Sequence, residues 1–100
     1  MVSLIQDLGR RVGEEVTLKG WLSNLRSSGS LAFLEIRDGS GFVQAVAAKA
    51  ELPEETWKKI EGLTQESSVV VTGLVKKHPK QEGVYELQVK HLEVIQVAEE

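Results

Sequence analysis

The stretch from Leu31 to Ala48 constrains the fold of this chain more than any other. Leu31 to Arg37 keeps an apolar side chain at every second position (Ala32, Leu34, Ile36), the segment Asp38-Gly39-Ser40-Gly41 interrupts, and Phe42 to Ala48 does the same (Val43, Ala45, Ala47). Period-two alternation on both sides of such a turn predicts a β-hairpin with one buried face. Placing Arg37 opposite Phe42 across the turn sets Leu34 against Ala45 and Ala32 against Ala47. Ala32, Leu34, Ile36, Val43, Ala45 and Ala47 then share an apolar face, and Phe33, Glu35, Arg37, Phe42, Gln44 and Val46 share the other. A slip of one residue would exchange the faces, so burial of the first set fixes the register.

Strand chemistry dominates the rest of the chain. Glu15 to Arg26 reads as a long first strand, with Gly20 marking a bend or bulge where a barrel turns a corner. Ser27 to Ser30 is turn chemistry, Leu31 to Arg37 the second strand and Phe42 to Ala48 the third. Ser67 to Lys76 reads as a fourth strand and Val84 to Val97 as a fifth, after a polar loop from Lys77 to Gly83. In the fifth, Tyr85, Leu87 and Val89 point inward, and Glu86, Gln88 and Lys90 outward.

Two short helices interrupt this pattern. Ser3 with Gln6 has the spacing of a capping box ahead of Leu4, Ile5 and Leu8, and Gly9 offers a stop. Pro53 opens a second helix whose apolar stripe is Trp57, Ile60 and Leu63. The expected architecture is all-β, a five-stranded OB-fold Greek-key barrel. It has a short N-terminal helix and a second helix between strands three and four. A small barrel of the SH3 type is the alternative, but its connections lack this helix. One domain is expected over 1–100, with 1–13 as N-terminal helix and lead-in and Ala98-Glu99-Glu100 as a frayed tail.

Composition excludes several function classes. The chain has no cysteine, hence no disulfide framework, thiolate metal site or Cys nucleophile. His78 and His91 each stand too alone to point to a metal centre, and no cofactor is expected. No apolar run approaches the roughly 18 residues of a membrane helix, and no secretory leader is apparent, so a cytoplasmic location is expected. A net charge of −3 argues against a generally adhesive nucleic-acid binder but leaves room for a local basic face.

The polar face of the hairpin is where chemistry concentrates. Phe33 is an aromatic among polar neighbours, one diagonal step from the Gln44 amide. A ring of this kind stacks any nucleobase, an amide matches the paired donor and acceptor of a base edge, and a carboxylate accepts from guanine N–H groups. The plainer reading is that Phe33 and Phe42 cover the barrel flank and Gln44 is a solvated strand residue. Lys76, Lys77 and Lys80 lie in a short basic loop, Lys76-Lys77-His78-Pro79-Lys80, either solvated or in contact with phosphates or a further base. Gly39 and Gly41 serve turn geometry, and Trp57 is core rather than a ligand platform.

An ordered set of residues carries a family resemblance. Gly20-Trp21-Leu22-Ser23-Asn24-Leu25-Arg26, Gly29, Phe33-Leu34, Arg37-Asp38-Gly39-Ser40-Gly41-Phe42 and Gln44 resemble the anticodon-binding domain of class IIb aminoacyl-tRNA synthetases. These are the aspartyl, asparaginyl and lysyl enzymes, and Arg-Asp-Gly-Ser-Gly-Phe-Val-Gln is most similar to bacterial asparaginyl examples. The resemblance implies that Phe33 stacks on the middle anticodon base, uracil, and that Gln44 bonds its edge. It further implies that Arg26 contacts the anticodon loop and that Glu86 helps read the first base, guanine. Ser30 stands where many relatives carry lysine, which removes a cation from the loop.

The expected partner is a tRNA anticodon loop, with GUU as its anticodon. The family's catalytic domain would follow the last strand, so these 100 residues are expected to bind without catalysing. The full-length relative, an asparagine–tRNA ligase, would be homodimeric and the isolated domain monomeric. Two other readings stay open: a general single-strand-binding OB domain, and an OB scaffold reconstructed or designed without tRNA function.

Overall fold

The computed structural model describes residues 2–77 and 85–96. Lys80, most of the polar loop, Val84, Val97 and the expected tail lie outside the described residues. The strands are β1 (Val2–Ser3), β2 (Glu15–Ser28), β3 (Leu31–Arg37), β4 (Phe42–Ala48), β5 (Ser68–Lys77) and β6 (Tyr85–Gln96). One α-helix, α1 (Glu54–Glu61), connects β4 to β5, and 3₁₀ turns occupy Ile5–Arg10 and Lys49–Glu51.

β2 is 14 residues long because it serves two partners. Its first half, Glu15 to Trp21, pairs antiparallel with β5, and its second, Trp21 to Ser28, with β3. β4 pairs with β3 on one side and runs parallel to β6 on the other, and β6 pairs with β5. The sheet thereby returns to β2 and closes in a ring, the five-stranded OB barrel expected. The two-residue β1 adds a parallel pairing to β2.

Closure demands close approach of two backbones. At the exchange of partners, a Cβ on Gly20 would collide with the carbonyl oxygen of Arg37. Gly20 thus permits contact between strands, and the bulge anticipated there lies further on, between Leu22 and Asn24. Gly73 plays the same part at the β5–β6 irregularity, where a Cβ would meet the Gln88 carbonyl.

The hairpin register is the one expected, with Arg37 opposite Phe42, Leu34 opposite Ala45 and Ala32 opposite Ala47. Its apolar set is buried with Leu18, Leu22, Val71, Leu87 and Leu92 in one core. α1 lies against β6 and contributes Trp57 and Ile60 to that core, followed by Leu63. Pro53 precedes the helix as its N-cap rather than forming its first turn.

The N-terminal segment departs from expectation. Ser3 belongs to β1, Leu4 takes the N-cap position without a side-chain cap, and the helix is a 3₁₀ turn that runs past Gly9 to Arg10. Its leading amides are satisfied from the β3–β4 turn. Asp38 Oδ2 accepts from Ile5 N at 2.7 Å, and Ser40 Oγ accepts from Gln6 N at 3.2 Å. Asp38 Oδ1 also accepts from the Ser40 hydroxyl and amide, at 2.6 and 2.8 Å. Partial burial pushes the Asp38 carboxyl upward. Bonds from the Ser40 hydroxyl and from the Ile5, Ser40 and Gly41 amides outweigh that and hold it below its ordinary value. The turn therefore docks Ile5 and Leu8 onto the core.

Candidate nucleic-acid interface

Register assembles the outer face row by row. Asn24 of β2, Glu35 of β3, Gln44 of β4, Glu86 of β6 and Lys76 of β5 are successive partners in one row across the sheet. Arg26, Phe33, Val46 and Gln88 form the row on one side. Trp21, Arg37 and Phe42 form the row on the other. Phe33 thus stands beside Glu35 along its own strand and diagonal to Gln44, as the alternation predicts.

The central row is polar, and both outer rows pair arginine with phenylalanine. The Arg26 guanidinium carbon lies 5.5 Å from the centroid of the half-buried Phe33 ring. The Arg37 guanidinium carbon lies 5.9 Å from the centroid of Phe42, whose ring is 66% exposed. Glu35 Oε1 accepts from Ser23 Oγ at 2.7 Å and faces Arg37 Nη2 at 3.5 Å. The Gln44 amide bonds to no described residue. Its donor and acceptor are therefore available together, as recognition of a base edge requires.

Of the anticipated residues, Arg26, Phe33, Gln44 and Glu86 share this face, with Lys76 directly across from Glu86. Lys77 pairs with Tyr85 at the end of β5, and Lys80 lies outside the described residues. The linkage from Ser23 through Glu35 to Arg37 was not anticipated. The sequence carries no signal for it, because the offset at Ser23 comes from a bulge that depends on both paired strands. His91 Nε2 meets Glu93 Oε1 at 2.7 Å further along β6, beyond these rows. That bond, then the nearby Lys59, holds the Glu93 carboxyl below its ordinary value.

Residues 16–95 match the family described as the OB-fold nucleic acid binding domain of the tRNA anticodon type. The chain belongs to this family. It is similar to asparagine–tRNA ligase of Desulforamulus reducens, with 48% identity over 98% of this chain and 23% of that protein. The corresponding ligase of Pelotomaculum thermopropionicum is 45% identical over 96% of this chain and 22% of its own. Asparaginyl-tRNA synthetase from Pyrococcus horikoshii, solved with asparaginyl-adenylate, superposes with a TM-score of 0.89 at 40% identity. That match covers 98% of this chain and 23% of the archaeal one. This OB-fold anticodon-binding domain therefore resembles the N-terminal part of asparaginyl-tRNA synthetases and spans about a quarter of their length.

Proposed function

We propose that this OB-fold domain reads the anticodon loop of a tRNA bearing GUU. Phe33 stacks on the middle base, uracil, and the Gln44 amide bonds that base's edge. Glu86, next to Gln44 across the parallel β4–β6 pair, accepts from the N–H groups of the first base, guanine. Arg26 contacts the loop beside Phe33, and Lys76, Lys77 and Lys80 neutralise phosphates. The observation that carries this reading is the shared face on which an aromatic, an amide and a carboxylate stand on three successive strands, with the amide between the other two.

Stacking supplies affinity without sequence preference, about 1–3 kcal/mol per base. Edge contacts supply the preference, because uracil presents N3–H where cytosine presents an acceptor. The domain serves a cytoplasmic asparagine–tRNA ligase that is homodimeric as a whole, while the domain alone is a monomer that binds and does not catalyse.

Binding to stem-loops with GUU, GUC and UUU anticodons tests the proposal. GUU should bind tightest, and UUU should lose the contact to Glu86. Equal affinity for all three and for an unrelated pyrimidine-rich strand would show a general single-strand binder instead.

A further inference from the structure

The Trp21–Arg37–Phe42 row has no part in that reading, yet it repeats the arrangement found around Phe33. Phe42 is the most exposed of the large apolar side chains described, at 66%, and the neighbouring guanidinium is held in place. Ser23 Oγ bonds Glu35 Oε1 at 2.7 Å, the same oxygen faces Arg37 Nη2 at 3.5 Å, and Arg37 rests over Phe42 at 5.9 Å. The ring thus has a paired cation beside it, and two thirds of the residue is left to solvent. An isolated phenylalanine that merely covered a flank would need neither the cation nor its anchor.

Spacing limits what could use the two rings together. Phe42 lies four residues along β4 from Val46, the partner of Phe33. That is about 13 Å along the strands, plus one strand spacing of about 4.8 Å across. The distance far exceeds the ~3.4 Å rise between stacked bases. The rings therefore cannot grip stacked neighbours, but they suit a strand whose bases are splayed apart, as in an RNA loop.

We infer that Phe42, backed by Arg37, is a second stacking platform that takes a non-adjacent base of the same RNA loop. This rests on the reading that Phe33 takes one base of that loop. An aromatic face paired with a cation favours a nucleobase over an aliphatic partner because the base offers a π-surface and the guanidinium can reach a flanking phosphate.

The test is binding of the 100-residue chain and its variants to a GUU anticodon stem-loop, with thermal melts to establish that each variant folds. Phe42→Ala should weaken binding about tenfold, the effect of one lost stack. Phe42→Leu should weaken it nearly as much, since it keeps apolar area and loses the π-face. Single abasic substitutions around the loop should locate one position, not adjacent to the middle anticodon base, at which Phe42→Ala has no further effect. Wild-type affinity in Phe42→Ala alongside weakened Phe33→Ala would overturn this inference and leave the anticodon reading standing. Wild-type affinity in both would end both, and unchanged affinity in Phe42→Leu alone would reduce Phe42 to an apolar contact.

Discussion

Asp38 Oδ2 accepts a hydrogen bond from Ile5 N at 2.7 Å, joining the β3–β4 turn to a helix 33 residues earlier in the chain. Turn and helix start are one structural unit. Ser40 adds a second bond to Gln6 N, so the leading amides that a short 3₁₀ turn cannot satisfy internally find partners in a distant loop.

Removing this carboxylate should loosen the N-terminal segment. Asp38→Ala should destabilise the fold by about 1–3 kcal/mol, the range for losing bonds to a charged acceptor. The pH dependence follows from the depressed carboxyl. Its contribution is fully present above the unfolded-state value of about 3.9 and is lost as pH falls through the lower folded-state value. Denaturant melts from pH 6 down to pH 2.5 should show wild type losing more stability than Asp38→Asn. Parallel losses would show that the carboxylate is not the acid-sensitive group.

Gly20 should tolerate no side chain. Gly20→Ala drives a methyl into the Arg37 carbonyl and should cost about 1–3 kcal/mol or more, because two paired backbones must move apart. Gly62→Ala is the control. Its nearest contact is an ordinary 3.6 Å, its φ is −89°, and its stability should stay near wild type. Equal melting temperatures for the two variants would contradict the close approach.

Trp57 anchors α1 to the core at 5% exposure. Trp57→Ala should lower stability by about 3–5 kcal/mol, the cost of a large cavity where the surroundings relax only in part. Its fluorescence should separate the two tryptophans, with the buried-environment component disappearing and that of the half-exposed Trp21 persisting. A change near zero would mean that the helix is held by other contacts.

Phe33 and Gln44 should differ in what they control. Phe33→Ala should weaken binding to a GUU loop by about 1–3 kcal/mol with little change in preference at the middle base. Gln44→Ala should cost about 0.5–1.5 kcal/mol and relax the preference for uracil over cytosine. The double variant should lose less than the sum, because both side chains act on one base. Strict additivity, measured by titration at fixed salt, would separate the two sites.

Local pattern by itself determined the hairpin and its two faces. Alternation on both sides of Asp38-Gly39-Ser40-Gly41 admits one register that buries Ala32, Leu34 and Ile36 together, so Phe33 and Gln44 had to share the outer surface. The apolar spacing of Trp57 and Ile60 likewise placed α1 on the core. The tertiary structure decided what depends on partners distant in sequence. That Asp38 satisfies the start of the N-terminal helix depends on a carboxylate oxygen reaching Ile5 N, and the capping-box spacing carries no trace of a turn 33 residues away. Gly20 reads as a bend in the sequence and is a contact point in space, since its constraint is the Arg37 carbonyl of another strand. The adjacency of Gln44 and Glu86 likewise arises only when β6 lies parallel to β4, a pairing fixed by closure of the barrel rather than by either strand alone.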